Sequence, residues 1–231
     1  ASSYLSGLQA KGLLRQFKLS WLYPSLPNQS FELSSSFSDL SLLPLKPANG
    51  VSNLAGNLVF GSKGGALNVD CQRCAISLPT LFIEDLRFDR LLGKTSWRRL
   101  GEGWKVDISQ VRMNNADVAG VLSGTYTSTP QGAGHADLRA DLGNGRADAV
   151  WRYIPLTVGD ATRDWLHSSL KAGTASRAVM VLQGALDDFP WDKRNTGRFR
   201  VDVDAHDVDL DYADHWPMIA RIGAKLVFEG D

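Results

Sequence analysis

The stretch "FRVDVDAHDVDLDYADHWP" (199–217) carries Asp202, Asp204, Asp207, Asp209, Asp211 and Asp214, six aspartates in thirteen positions. Clustered carboxylates can hold calcium or act as paired acid and base. The spacing argues for neither. Val201, Val203 and Ala205 alternate with Asp202, Asp204 and His206; the phase then slips by one, and Val208, Leu210 and Tyr212 alternate with Asp207, Asp209 and Asp211. Carboxylates two apart on a strand lie about 6.5 to 7 Å from each other, too far to close around one cation. A calcium loop also needs a turn Gly and a distal Glu, and neither falls at the required offset. The acids therefore read as the wet face of a strand, with a bulge or tight turn at His206–Asp207.

Other chemistry is equally thin. Cys71 and Cys74 form a single CxxC in "NVDCQRCAIS" with no second pair, a poor zinc site. On an extended strand the two thiols would point to opposite faces about 10 Å apart; only a turn between them would permit a disulfide. His135, His167, His206 and His215 are scattered, and neither a GxSxG elbow nor an HExxH pair occurs. "GSKGG" and "DLGNGRAD" read as hairpin turns rather than phosphate cradles. No catalytic residue, metal site or cofactor is assigned, and the chain is not read as an enzyme.

The elements that carry these residues are mostly strands. Period-two alternation runs through 13–21, 30–42, 51–60, 66–70, 104–113, 116–128, 135–142, 146–154, 177–186 and 224–230, besides the aspartate stretch. Turn clusters such as "YPSLPNQS", "LKPANG", "GSKGG", "STPQGAG" and "LGNG" separate them at roughly ten-residue intervals, which predicts sequential antiparallel pairing. One segment differs. In "PLTVGDATRDWLHSSLKAG", Asp160 can cap, Trp165, Leu166 and Leu170 fall on one helical stripe, Lys171 lies in the last turn and Gly173 can stop it. This predicts an amphipathic helix over 160–172 packed by Trp165, Leu166 and Leu170 on the sheet. A second helical turn is expected at "HWPMIARIG".

Composition agrees. The 231 residues include 25 basic and 25 acidic side chains, so no charge excess points to nucleic acid or an anionic surface. Asp outnumbers Glu by 21 to 4 and there are 22 glycines, favouring turns and strand edges over helix. No apolar run reaches the roughly 18 residues of a bilayer helix. The chain opens on "ASSYLSGLQAKG" without an initiator Met, as a piece of a longer protein would.

The second half resembles the YhdP-type branch of the AsmA-like envelope proteins of Gram-negative bacteria. The resemblance rests on the aromatic-Ile-Pro before the helix, "WLHSSLKAG", "LQGALDDFPW", Gly197–Arg198–Phe199, "VDLDYADHWP" and the closing "LVFEG". The first 150 residues match more loosely, through "FDRLLGKTSWRR" and "GWKVDISQVRMNNADVAGVLSGTY". The resemblance implies a periplasmic segment of a protein anchored in the inner membrane by a helix outside this sequence. It also implies a curved, open antiparallel meander sheet, a taco-like groove whose apolar face carries phospholipid acyl chains toward the outer membrane. Residues 1–150 would form the N-terminal part of the meander, and 151–231 the helix and further strands of the same elongated unit. The partner it implies is a phospholipid or other acyl-chain lipid. The groove candidates are Val179, Val181, Val201, Val203, Val208, Leu210, Tyr212, Leu226 and Phe228. The alternative is a β-sandwich or scaffold, in which the same residues meet a second sheet and leave no groove, because alternation is identical in the two cases.

Overall fold

A computed structural model describes residues 8–21, 31–44, 49–189, 191, 197–213 and 215–230. The turn cluster at 23–30, residues 45–48 of the next one, and Asp214 lie outside the described residues. The strands are β1 (Leu8–Trp21), β2 (Phe31–Pro44), β3 (Gly50–Gly61), β4 (Gly64–Ser77), β5 (Leu86–Leu100), β6 (Gly103–Asn114), β7 (Ala119–Thr127), β8 (His135–Gly143), β9 (Gly145–Arg146), β10 (Leu170–Ala185), β11 (Gly197–Leu210) and β12 (Ile219–Glu229). All are antiparallel members of one sheet in chain order, except that the two-residue β9 pairs with β10 off the main path. β1 and β12 do not pair, so the sheet is open. Eleven strands on the path, spaced about 4.8 Å, make it about 48 Å across.

Alternation alone would make each strand straight, yet most change phase midway. Asp207 has φ 50°, His206 and Asp207 both face solvent, and the β11–β12 register shifts between Ala205 and Val208. This is the bulge expected from the slip in the sequence. Gln16, Asp39, Asn53, Arg73 and Arg221 take the same left-handed turn in β1, β2, β3, β4 and β12, with φ from 51° to 57°. Polar side chains of the preceding strand serve these kinks. Asn53 Nδ2 donates to the carbonyls of Gln72 and Arg73, Ser41 Oγ accepts from Asn53 N, and Asp209 Oδ1 accepts from Arg221 N at 3.0 Å.

The sheet is a single layer rather than a sandwich. The chain exposes 15121 Å², where a compact chain of this size would expose about 10,000 Å². Its centre is nevertheless buried: Leu91 retains 5% of its exposure and Ala140 4%. Side chains of adjacent strands cover these residues, as in the cluster of Phe37, Leu54, Phe88 and Leu91, and repeated bulges supply local bending.

Four expectations are corrected. Residues 146–154 are not a strand: 147–153 form a 3₁₀ turn that ties its aromatic side chains to neighbouring elements, as described below. The helix α1 runs Asp160–Ser169, so Leu170 and Lys171 begin β10. Gly173 is no helix stop; it lies in β10 with φ 124°, and a Cβ there would meet Val208 Cα at 2.6 Å. The stretch "HWPMIARIG" leads into β12 from Ile219 without a helical turn. β5 had no counterpart in the alternation, because its apolar residues Phe88 and Leu91 are three apart across a phase change. No helix among the described residues is long and apolar enough to cross a membrane.

Candidate functional site

Directly opposed residues of an antiparallel ladder share a face, so register assigns the side chains that alternation leaves ambiguous. One row runs Leu122, Ala140, Met180, Val201, Phe228 across β7, β8, β10, β11 and β12. The next runs Gly120, Leu142, Ala178, Val203, Leu226. Past the bulge, Val208 opposes Ile222, and Leu210 opposes Leu170 and Ile219. Val201, Val203, Val208, Leu210, Leu226 and Phe228 thus belong to one apolar face.

Val179 and Val181 do not join them. Val179 opposes Asp202 and Asp141, and Val181 opposes Arg200 and Arg139, which puts both on the opposite face. In "RAVMVLQ" both phases are apolar, with Ala178, Met180 and Leu182 in one and Val179 and Val181 in the other, so only the ladder can choose. Tyr212 lies beyond β11, its ring 5.8 Å from that of Trp216.

The opposite face is ionic. Arg200 forks onto Asp202 at 2.5 and 2.7 Å and also pairs with Glu229; Arg139 forks onto Asp141 at 2.7 and 2.8 Å. The hydrogen bonds from these arginines hold the Asp202 and Asp141 carboxyls below the usual range. His206 lies 3.6 Å from Asp204, and Lys171 lies 3.9 Å from Asp211. The described aspartates of the opening stretch are thus ion-pair partners, bulge residues and bulge caps. Among the described residues no three His, Cys, Asp or Glu side chains gather as a metal site.

Cys71 and Cys74 form a disulfide, with Cα atoms 6.2 Å apart. The left-handed Arg73 between them reverses the phase and brings both sulfurs to the apolar face. There they join Phe37, Leu54, Phe88 and Leu91 in a buried cluster.

The sheet's two long rims differ. At one, the 3₁₀ turn and α1 gather against the sheet. Tyr153 Oη donates to Asp117 Oδ2 and accepts from Asn115 Nδ2, Arg152 Nη1 donates to the same carboxylate, and Asn115 Oδ1 accepts from the Asp117 and Val118 amides. Burial pushes the Tyr153 phenol up. α1 rests mainly on the turn: the His167 and Trp151 rings lie 4.2 Å apart. Its buried residues are Arg163, paired with Asp160, and Ser169. Trp165 keeps 44% of its exposure, donating from Nε1 to the Tyr212 carbonyl, and Leu166 and Leu170 are half-buried. Of the three residues expected to pack the helix on the sheet, Leu170 is itself the first residue of β10, and α1 meets the 3₁₀ turn through His167.

The other rim, at the hairpin ends, carries aromatics that alternation did not single out. Trp21, Phe31, Phe60 and Trp97 follow one another with ring centroids 6.4, 5.5 and 6.3 Å apart. Trp21, Phe31 and Phe60 stand one or two residues from a turn cluster, which was the available signal; Trp97, inside β5, carried none. A broad apolar face between two such rims offers nonpolar contact to an elongated molecule.

No curated protein and no solved structure matches the chain. A family model described as YhdP protein matches residues 1–231. The chain belongs to the YhdP family.

Proposed function

We propose that this chain is a periplasmic segment of an AsmA-like envelope protein whose apolar face forms a trough for phospholipid acyl chains, supporting lipid transport between inner and outer membranes. The full protein would be anchored in the inner membrane by a helix outside this sequence. The observation that carries the reading is the apolar face that continues from strand to strand with no second layer described upon it. At about 25 cal/mol per Å² of apolar surface, covering it with acyl chains is favourable, whereas leaving it in water invites aggregation. The role is one of binding and conduction, with no catalytic residue assigned.

The two faces provide the test. Val203→Asp places a carboxylate in the trough, and Val181→Asp places one among the arginines of the ionic face. Both variants are expected to fold, because neither lies between two sheets. Lipid co-purifying without detergent, measured by extraction and mass spectrometry, should fall sharply for Val203→Asp and stay near the unsubstituted level for Val181→Asp. Equal lipid content in both, or a photo-crosslinker at 203 that captures only protein, would count against the trough.

A further inference from the structure

The two rims offer a lipid different chemistry. At the hairpin rim one row of directly opposed residues runs Phe60, Gly65, Trp97, Val106, Tyr126, Ala136, Gly184, Gly197. Its glycines make room for rings: a Cβ on Gly65 would meet the Trp97 indole at 2.5 Å, and one on Gly197 would meet the Trp191 indole at 2.2 Å. The indoles therefore lie over bare backbone at the mouth of the apolar face. Tyr126 Oη donates to the Ala133 carbonyl and Trp191 Nε1 to that of Ala185, so these rings have an apolar body and a polar anchor. Trp and Tyr of this kind suit the level where hydrocarbon gives way to headgroups.

The hairpin rim also presents a cation on the apolar side. Arg99 is two residues beyond Trp97 and opposes Trp104, which puts it on the apolar side at the outermost level of β5. Its Nε donates to the Gly101 carbonyl at 3.3 Å, and among the described residues no carboxylate holds its Nη groups. Lys63 in the β3–β4 turn and Arg98, which opposes Gly64 on the other face of β5, are also outside any ion pair of the described residues; the carboxylates of Glu32 and Glu102 stand at the same rim. At the α1 rim Arg146, Arg152, Arg163 and Lys171 each have a carboxylate already: Asp148, Asp117 with Glu84, Asp160 and Asp211. Arg87 and Arg221 are outside any ion pair of the described residues, but Arg87 alternates with the apolar-face Phe88 and Arg221 occupies a bulge, so neither repeats the position of Arg99.

We propose that a phospholipid lies across the trough with its glycerophosphate at the hairpin rim, the phosphate on Arg99, the glycerol level with Trp97 and Tyr126, and the acyl chains directed toward the α1 rim. A planar guanidinium with two free Nη groups matches the oxygens of a phosphodiester, and the aromatic row marks the depth at which the chains begin. This orientation rests on the lipid reading of the trough and adds a polarity to it.

The test compares phosphatidylglycerol with diacylglycerol of the same chains, each offered from nonionic detergent micelles, with bound lipid read by mass spectrometry. The unsubstituted chain should prefer the phospholipid by about fivefold, the scale of one exposed charge-assisted contact. Arg99→Gln should bring the ratio near unity while diacylglycerol is retained, which reports an intact fold, and Arg99→Lys should keep most of the preference. A phosphatidylglycerol with a diazirine in its headgroup should label peptides containing Trp97 or Tyr126, whereas one with the diazirine at the chain terminus should label those near Leu142 and Val203. An unchanged ratio in Arg99→Gln, or headgroup labelling at α1, would overturn the orientation and leave the trough standing. Failure of the folded, unsubstituted chain to bind either lipid would overturn the trough itself.

Discussion

Cys71 and Cys74 illustrate how one residue changes what its neighbours can do. The left-handed Arg73 converts two thiols of opposite phase into a buried disulfide on the apolar face. A closed loop this short contributes about 2 kcal/mol through the unfolded chain. The double Ala variant should lose at least that much by urea midpoint. The double Ser variant should lose more, since each buried hydroxyl left without a partner costs about 1 to 3 kcal/mol. A Ser pair as stable as the Ala pair would contradict the burial of this site. The ionic face responds to acid instead. Asp202 and Asp141 have folded-state pKa values below their unfolded ones. Their contribution is therefore complete above about pH 4 and vanishes as pH falls through the lower folded value. The stability gap between the natural chain and its Asp202→Asn variant should be present at pH 7, shrink with added salt, and close below that window.

At the scale of the element, the recurring unit is a strand with one bulge and a polar cap supplied by the strand before it. Asp207 occupies such a bulge at φ 50°. Asp207→Gly should be tolerated or slightly stabilising there, whereas Asp207→Val should cost about 1 to 2 kcal/mol, because a β-branched side chain resists the left-handed conformation. Equal urea midpoints for the two variants would mean that the bulge does not depend on this residue. α1 and the 3₁₀ turn form a different unit: they buttress one rim through the Asp117–Tyr153–Arg152 contacts and the His167–Trp151 pair, leaving the face beside them as strands alone.

For the whole molecule, a single layer leaves its hydrophobic face without a second sheet among the described residues. Its edge strands add to this: Leu14 keeps 61% of its exposure and Phe228 54%, on strands with one unpaired side. Such edges pair readily with other strands. The isolated chain should associate as its concentration rises in sedimentation velocity runs, and Leu14→Lys with Phe228→Lys should shift it toward monomer. Association that persists unchanged in this variant would remove the edges as its cause.

The sequence by itself determined the antiparallel meander, the hairpin at "GSKGG", the bulge at His206–Asp207 and the ionic character of the aspartate face, because each follows from local alternation or turn chemistry. It also determined the helix after residue 159, though not its end. Which phase of β10 joins the apolar face was left to the tertiary structure, since Val179 and Met180 are equally apolar and only the pairing of Met180 with Val201 separates them. It likewise decided that 147–153 form a 3₁₀ turn and that the two cysteines meet. A period-two pattern records that a strand has two faces, but which face is shared, and whether another layer covers it, depends on partners far away in the chain.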